Sequence, residues 1–329
     1  MTTSTLRRAL GAFAAICGLT LLGSPAAGAA TRFPSRPIHL IVGFAAGGSA
    51  DTVARLMAPI LNRELKQNII IENRPGAGGN IASADLLKSA PDGYTIMLGT
   101  IGSLAVNQHI SKLKYDPVTD MEAISLAVKF SNVLVVNPHS DIHTLADYVR
   151  EAKASHSSLS FGSSGIGSSG HLAGELLKSV AGLHNQHIAY RGGAPAMNDL
   201  LGGRLGAIFA SPTDAVQFIA AGKLRAIATT GLSRMDVLPH VPTVAESGYP
   251  GFEANNWYAY VAPAKTPADV IRVLNKAIVV ALKDPGVSAK LEKLGLQPAP
   301  STPAETAAYI RSESKKWGDL VKKIGISAD

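Results

Sequence analysis

Residues Ile38–Leu61, IHLIVGFAAGGSADTVARLMAPIL, decide the fold class. An apolar run with β-branched bias, starting at Ile38, reads as a strand. It ends in the small, Gly-rich turn Phe44-Ala-Ala-Gly-Gly-Ser-Ala-Asp51, and a helical pattern follows at once, with Val53, Leu56, Met57, Ile60 and Leu61 on one face. A helix that starts where a Gly-rich loop ends presents unpaired backbone N–H groups and the positive end of its dipole, which together suit an anion.

The same unit recurs downstream. Asn68 to Glu72 is a second apolar strand that runs into Asn73-Arg-Pro-Gly-Ala-Gly-Gly79 before another helix, and Tyr94 to Thr100 is a third strand after the turn Ala90-Pro-Asp-Gly93. Strands alternating with helices imply parallel βαβ units. From Ala123 to Asn137 the pattern changes to two apolar runs closed by Asn137-Pro138, which reads as a crossover into a second lobe. There the alternation restarts, with helices at 144–154, 171–180, 194–201 and 211–221 and strands at 159–162, 187–190, 206–210 and 224–230. Phe252 to Ala262 is β-prone and is expected to cross back. The remainder reads as helices at 267–282, 286–294 and 303–324. The expected organisation is a segment 1–30 that is removed, a first lobe of 31–130 plus 254–329, and a second lobe of 131–253.

The opening segment reads as a secretory signal: Arg7 and Arg8, an apolar run from Ala9 to Leu22, then Ser24-Pro-Ala-Ala-Gly-Ala-Ala30. The run is shorter than the roughly 20 residues of a membrane span. Both Sec and twin-arginine export remain open. Cys17, the single cysteine of the 329 residues, lies in this segment, so the mature chain has no thiol for disulfides, zinc-thiolate sites or cysteine catalysis. Net charge is +7, and loss of the two arginines leaves +5, with no Lys/Arg cluster of the kind that binds nucleic acid. Aromatics at 5% argue against stacking platforms.

Two loops match in kind: Phe44 to Asp51 and Ser163-Ser-Gly-Ile-Gly-Ser-Ser-Gly170 each follow a strand and open a helix. Ligands of open α/β sheets bind at such strand ends, so two lobes with opposed anion-receptive loops describe a cleft. Taken singly, each loop is also an ordinary Gly/Ser turn and cap. Gly43 to Gly48 has P-loop spacing, but Ser49 and Ala50 stand where Lys and Ser/Thr are needed. Gly165-Ile-Gly-Ser-Ser-Gly170 matches a dinucleotide string only in isolation. No G-x-S-x-G or H-E-x-x-H occurs, and Ser312-Glu-Ser-Lys315 lies on a polar helix. Among nine histidines, His139, His143 and His156 fall in polar surroundings, while His171 opens a helix, where capping or packing is the common role; metal-ligand spacing is not evident. Asp51 holds the third helical position if Gly48 caps, where it reaches back to order the loop; a ligand ammonium is its alternative partner.

Many separate motifs in order give the mature chain a resemblance to the tripartite tricarboxylate transporter substrate-binding proteins, the Bug receptors. They are Phe33-Pro-Ser-Arg-Pro37, Phe44-Ala-Ala-Gly-Gly48 with Asp51, Glu72-Asn-Arg-Pro-Gly-Ala-Gly-Gly-Asn80, Pro91-Asp-Gly-Tyr94, Tyr115-Asp-Pro117 and Val135-Val-Asn-Pro138. They continue with Ser163 to Glu175, Tyr190-Arg-Gly-Gly-Ala-Pro195, Asp199-Leu-Leu-Gly-Gly203, Ala221-Gly-Lys-Leu-Arg-Ala226 and Val241-Pro-Thr-Val-Ala-Glu246. The resemblance implies an α/β, two-lobe periplasmic binding protein fold of the second type, each lobe a mostly parallel sheet flanked by helices, with two crossover segments as hinge. It implies a periplasmic, non-catalytic receptor without metal or cofactor, expected to be a monomer. Such a receptor takes a small carboxylate, whether di- or tricarboxylic or aromatic, and hands it to the membrane permease subunits of a tripartite transporter.

One solute carboxylate would then be held by backbone N–H groups and waters from Phe44 to Ser49 and from Ser163 to Ser169. The expected ligand-binding residues are Phe44, Ala46, Gly47, Gly48, Ser49, Asp51, Ser163, Gly165, Ser168, Ser169 and His171. Selectivity is expected in Ser103, Tyr190, Arg191, Ser211 and Trp257. Ala46 stands where the family often has Pro, and Leu205-Gly206 where it often has Val-Asp; neither change removes a backbone donor. Three or four charge-assisted hydrogen bonds give about 5 to 12 kcal/mol gross, whereas micromolar binding needs about 8 kcal/mol net. Lobe closure over the rest of the solute must add to the pinned carboxylate. A carboxylate sensor for a signalling partner, and an exported hydrolase using Ser163 or Ser168, are the competing readings.

Overall fold

A computed structural model describes residues 33–154 and 158–325. The signal-type segment with Cys17, and His156, lie outside the described residues. The chain opens with β1 (Ile38–Val42), α1 (Ser49–Leu65), β2 (Ile69–Asn73), α2 (Asn80–Leu87) and β3 (Thr95–Thr100). A π-type turn over Gly102–Val106 leads into the single-turn α3 (Asn107–Ile110). β4 (Met121–Ser131) and β5 (Val133–Val136) follow, with only Asn132 between them. Next come α4 (Leu145–Lys153), β6 (Ser160–Ser163), α5 (Ser169–Ala181), β7 (Gln186–Ala189) and α6 (Gly193–Leu201). β8 (Ala207–Ala210), α7 (Pro212–Ala220) and β9 (Arg225–Thr229) complete that half, and β10 (Asn255–Pro263), α8 (Ala268–Lys283), α9 (Pro285–Lys293), β11 (Gln297–Pro298) and α10 (Pro303–Ile324) close the chain.

Local chemistry places these elements where the sequence pattern puts them. In β1, Ile38, Leu40 and Val42 are buried on one face and join Val53, Met57 and Leu61 of α1 and Leu274 and Ile278 of α8 in one apolar cluster. Ile41 points to the opposite face and packs in the cluster that contains Leu86 of α2, so the strand is covered on both sides, as a parallel strand requires. At α4 and α10, Thr144 with Asp147 and Thr302 with Glu305 form capping boxes, and Pro303 takes the first turn of α10, where its missing N–H costs nothing.

Two sheets result, in the orders β11-β4-β10-β3-β1-β2 and β7-β6-β8-β5-β9. Both are mixed rather than mostly parallel. The βαβ pairs, β1 with β2 and β3, and β6 with β7 and β8, are parallel, while β10 and β5 insert antiparallel beside β3 and β8. The two inserted strands are those that arrive from the other sheet: β4 leads through Asn132 into β5, and β9 leads through residues 230–254 into β10. A strand arriving from the other sheet enters against the direction of the home strands.

The two passages are pinned to each other. Thr230 N–H donates to the Asn132 carbonyl at 3.0 Å and Ala254 N–H donates to the Thr230 carbonyl at 2.9 Å. Asn132 N–H donates to Thr230 Oγ1, which donates to the Ala254 carbonyl, both at 2.9 Å. The loops after β1, β3, β6 and β8 therefore leave the two sheets toward a common cleft. Among the described residues, no helix is long and apolar enough to cross a membrane.

Candidate ligand-binding site

The first loop is set by its own acid. Asp51 is the third residue of α1, after the Gly48 cap, and its Oδ2 accepts from Gly47 N–H at 2.9 Å and Arg55 Nε at 2.8 Å, while Oδ1 accepts from Asn73 Nδ2 at 3.1 Å. Burial opposes ionisation, but these donors hold the carboxyl below the usual carboxylate range. The acid reaches back one residue further than a capping box would, to Gly47, whose positive φ of 83° lets the loop turn. Both Asp51 oxygens are used within the loop and its neighbours.

The second loop is capped differently. Ser168 Oγ accepts from His171 N–H, and His171 Nδ1 accepts from Gly167 N–H at 3.1 Å, so His171 folds back on the loop. Its ring stacks on His187 at 4.3 Å, and His187 Nε2 shares a 2.7 Å hydrogen bond with Ser163 Oγ. Burial pushes His171 down to about 4 and His187 down to about 3, so both are neutral. Ser163 Oγ also donates to the Gly165 carbonyl and accepts from Gly165 N–H, which makes it a pin of the loop.

The loops meet across the cleft at glycines. A Cβ on Gly102 would strike the Gly167 carbonyl, one on Gly78 would strike the Ile166 carbonyl, and one on Gly167 would strike Asn107 Oδ1. Asn107 Nδ2 donates to the Gly78 carbonyl at 3.2 Å and to Asn80 Oδ1 at 2.6 Å, bracing the face that the second loop contacts.

Between the loops lies a cavity of about 20 Å³. Phe44, Gly48, Ser49 and Ala50 line it from the first loop and α1, and Ser164, Ser168 and Ser169 from the second loop and α5. Thr100 at the end of β3, Asn256 and Tyr258 of β10, Gly193 of α6, and Ser211 and Asp214 at the start of α7 complete the wall. No Lys, Arg or His is among these residues. Two hydroxyls, Ser49 Oγ and Thr100 Oγ1, are buried without a hydrogen-bond partner in the protein; Ser49 Oγ faces the Tyr258 phenol outside hydrogen-bond geometry. A second cavity, of about 200 Å³, shares Phe44 and Ser164 with the first and is lined beyond them by Gly76, Gly78, Gly165, Ile166, Tyr190 and Arg191.

The expected residues thus separate. Phe44, Gly48, Ser49, Ser168, Ser169 and Ser211 reach the small cavity, and Gly165, Tyr190 and Arg191 the larger one. Ala46 and Gly47 are exposed at the loop crest, and Asp51, Ser163 and His171 lie behind their loops. Ser103 is turned inward, its Oγ accepting from Thr100 N–H at 3.0 Å. Trp257 is on the opposite face of β10 from Asn256 and Tyr258, and its Nε1 donates to Glu313 at 3.0 Å. The residues that sequence reasoning missed are Ala50, Thr100, Gly193, Asp214, Asn256 and Tyr258, while Ser164 falls within the expected second loop. Strand alternation carried a signal for Asn256 and Tyr258; the pairing of lobes that brings the others together had none.

A family model described as the tripartite tricarboxylate transporter family receptor matches residues 53–326. The chain belongs to that family. The structure of the periplasmic binding protein BugD is similar at 34% identity and a TM-score of 0.86, over 90% of this chain and 99% of that one. An adipate-bound protein of R. palustris matches at 33% identity and a TM-score of 0.86, over 90% of this chain and 99% of that one. MatC from Rhodopseudomonas palustris, with bound malate, matches at 30% identity and a TM-score of 0.84, over 88% of this chain and all of that one (100%). This receptor is therefore a periplasmic solute-binding protein of the Bug type with the two-lobe α/β fold, and not an enzyme. The Ser163–His187 contact belongs to the architecture of the receptor's second loop and not to a hydrolase site.

Proposed function

We propose that this receptor captures a small carboxylate between its lobes and delivers it to the membrane subunits of a tripartite transporter. The observation that carries the reading is the pair of buried, unpartnered hydroxyls, Ser49 Oγ and Thr100 Oγ1, on the wall of a cavity into which the first turns of α1 and α5 open. First-turn amides have no intrahelical acceptor, and they favour a negative charge. A carboxylate supplies the acceptors that both hydroxyls and amides need. The resemblance to adipate-bound and malate-bound relatives supports the ligand class.

At about 20 Å³ the small cavity holds one water-sized group. It suits the carboxylate head, with the remainder of the solute passing Phe44 and Ser164 into the larger cavity. Arg191, exposed and without an ion-pair partner among the described residues, stands there for a distal anion. Entry requires opening, which we place at the two pinned passages, Asn132 and Thr230 with Ala254. The moving bodies are 31–130 with 254–329 and 131–253.

A thermal-shift screen of mono-, di- and tricarboxylates against the corresponding neutral amides tests this. Stabilisation by acids alone is expected, and at 100 times the dissociation constant it amounts to about 2.7 kcal/mol. Equal stabilisation by an acid and its amide would refute the pinned carboxylate.

A further inference from the structure

Asp214 lines the small cavity, on the wall facing the α1 N-terminus, and the cavity walls carry no basic side chain. Four helices of this chain place an acid third in the first turn: Asp51 in α1, Asp147 in α4, Asp214 in α7 and Glu305 in α10. Asp147 and Glu305 turn back on their own helix starts in capping boxes, and Asp51 turns back on Gly47. Asp214 does not: α7 has no side-chain cap, and the polar neighbours of the carboxyl are Thr213 Oγ1, 3.2 Å from Oδ1, and the Ser49 backbone amide across the cleft. The opposite oxygen, Oδ2, lies against Gly193 of α6, in space that any side chain at 193 would fill.

The elements around α7 supply no counter-charge. β5 has no titratable residue, Asp51 and Arg55 near the start of α1 pair with each other, and Asp199 of α6 accepts from Tyr190 and Arg204. Tyr258 of β10 is the other titratable group on the cavity wall, and burial, aided by the Asp214 charge, raises its phenol away from ionisation. A solute carboxylate in this cavity therefore meets a second carboxyl with no cation between them. Two carboxylates in one such site repel, and one proton held between them relieves the repulsion.

From this arrangement we infer that Asp214 makes solute capture proton-coupled: the bound carboxylate and Asp214 share one proton, taken from solvent on binding and returned to it on release. The inference rests on the carboxylate reading above and adds the proton that the charges in the cleft require. In the empty cleft an ionised Asp214 draws on the Ser49 amide. Once protonated it no longer needs that amide, and its O–H becomes a donor to the solute in a charge-assisted hydrogen bond. The amide is then left to the solute, beside the unpartnered hydroxyls of Ser49 and Thr100. A proton takes no space of its own, so a cavity of about 20 Å³ still holds the carboxylate head. Exclusion of bulk water already raises the Asp214 carboxyl to about 7 in the absence of solute, so its protonation near neutral pH requires little free energy.

The test is calorimetry with malate, adipate, benzoate and the tightest acid of the thermal-shift screen, from pH 6.5 to 8.5 in buffers of different ionisation enthalpy, with the titration of each acid itself subtracted. Each acid that binds should take up at least about half a proton at pH 7, approaching one at pH 8.5, and its dissociation constant should rise at least about tenfold across the range. His171 and His187, at about 4 and about 3, do not titrate in this window. Asp214→Asn carries an amide that donates as the protonated acid does but cannot titrate. It should lose both the proton uptake and the pH dependence, and bind more tightly than the parent at pH 8.5. Proton release, or an affinity that is flat across the range, would overturn the inference and leave the carboxylate reading standing, and so would a pH dependence that persists in Asp214→Asn. Absence of binding by every carboxylate in the wider screen would overturn both. The proton count is read on the unmodified receptor, so a variant that fails to fold does not remove the test.

Discussion

Gly102→Ala should act as a wedge. Gly102 follows β3 at the mouth of the cleft, and its Cα faces the Gly167 carbonyl from the other sheet so closely that no Cβ fits between them. Its φ is not in the left-handed region, so alanine strains no backbone there, and the added methyl collides only across the cleft. The obstacle is a backbone carbonyl, which cannot swing aside as a flexible side chain would. Overpacking of this size costs about 1–3 kcal/mol. In the hinge motion proposed above it falls on the closed arrangement alone, because separation of the lobes would remove the contact. If the ligand binds the closed form, its apparent dissociation constant rises by the same free energy, about 5- to 150-fold. Calorimetry with the tightest acid from the screen reads the affinity, and small-angle scattering reads the radius of gyration with and without that acid. The variant should be more expanded than the parent without ligand, and its melting temperature should be nearly that of the parent. Unchanged affinity and unchanged compactness would refute the wedge; a lowered melting temperature with unchanged affinity would assign the contact to the fold and not to closure.

Three further substitutions separate roles that the sequence ran together. Thr100→Val removes a buried hydroxyl that has no partner in the protein; it should raise ligand-free stability by about 1 kcal/mol while weakening carboxylate binding by about 1.5–3 kcal/mol, read by melting curves and calorimetry on the same samples. His171 and His187 are held neutral with pKa values of about 4 and about 3, below the unfolded value of about 6.5, so the unfolded chain takes up protons first as pH falls. Stability should therefore be intact above about pH 6.5 and fall by roughly 2–3 kcal/mol per histidine by pH 4.5. Denaturant titrations across that window should show His187→Gln losing about half of the slope, and a flat parent profile would refute the burial argument. Trp257→Phe removes the 3.0 Å bond to Glu313; a stability loss of about 2–4 kcal/mol with unchanged ligand affinity is expected, and an affinity change would return Trp257 to the cleft.

Alternation and glycine placement made the elements legible. The strand-loop-helix reading of Ile38 to Leu61 holds because β1 is apolar on both faces and Asp51 fixes the turn that follows. The Asn137-Pro138 stop marked the end of the chain's first passage between sheets, and the observed change of sheet falls at Asn132, between β4 and β5. What the pattern did not carry was strand direction. Each passage inserts a strand against its neighbours, and no hydrophobic period distinguishes β10 beside β3 from a parallel partner. The π-type turn at Gly102–Val106 was also illegible, since a short buried apolar run has the same composition in a strand, a helix or a turn.

The four first-turn acids show where local reasoning about a site stops. Asp51, Asp147, Asp214 and Glu305 have the same relation to their helices, and capping is the physical default for each. Three follow it. The fourth departs because Gly193, from a different helix, leaves room for Oδ2, and because the start of α1, from the other sheet, brings the Ser49 amide near the carboxylate. Neither partner is within 15 residues of Asp214 along the chain, so the departure is a property of the folded cleft. An acid that gives up its own cap leaves those helix amides to other acceptors and accepts the cost of burial. The Ser49 amide, at the start of α1, gives that acid the partner that its own helix start does not.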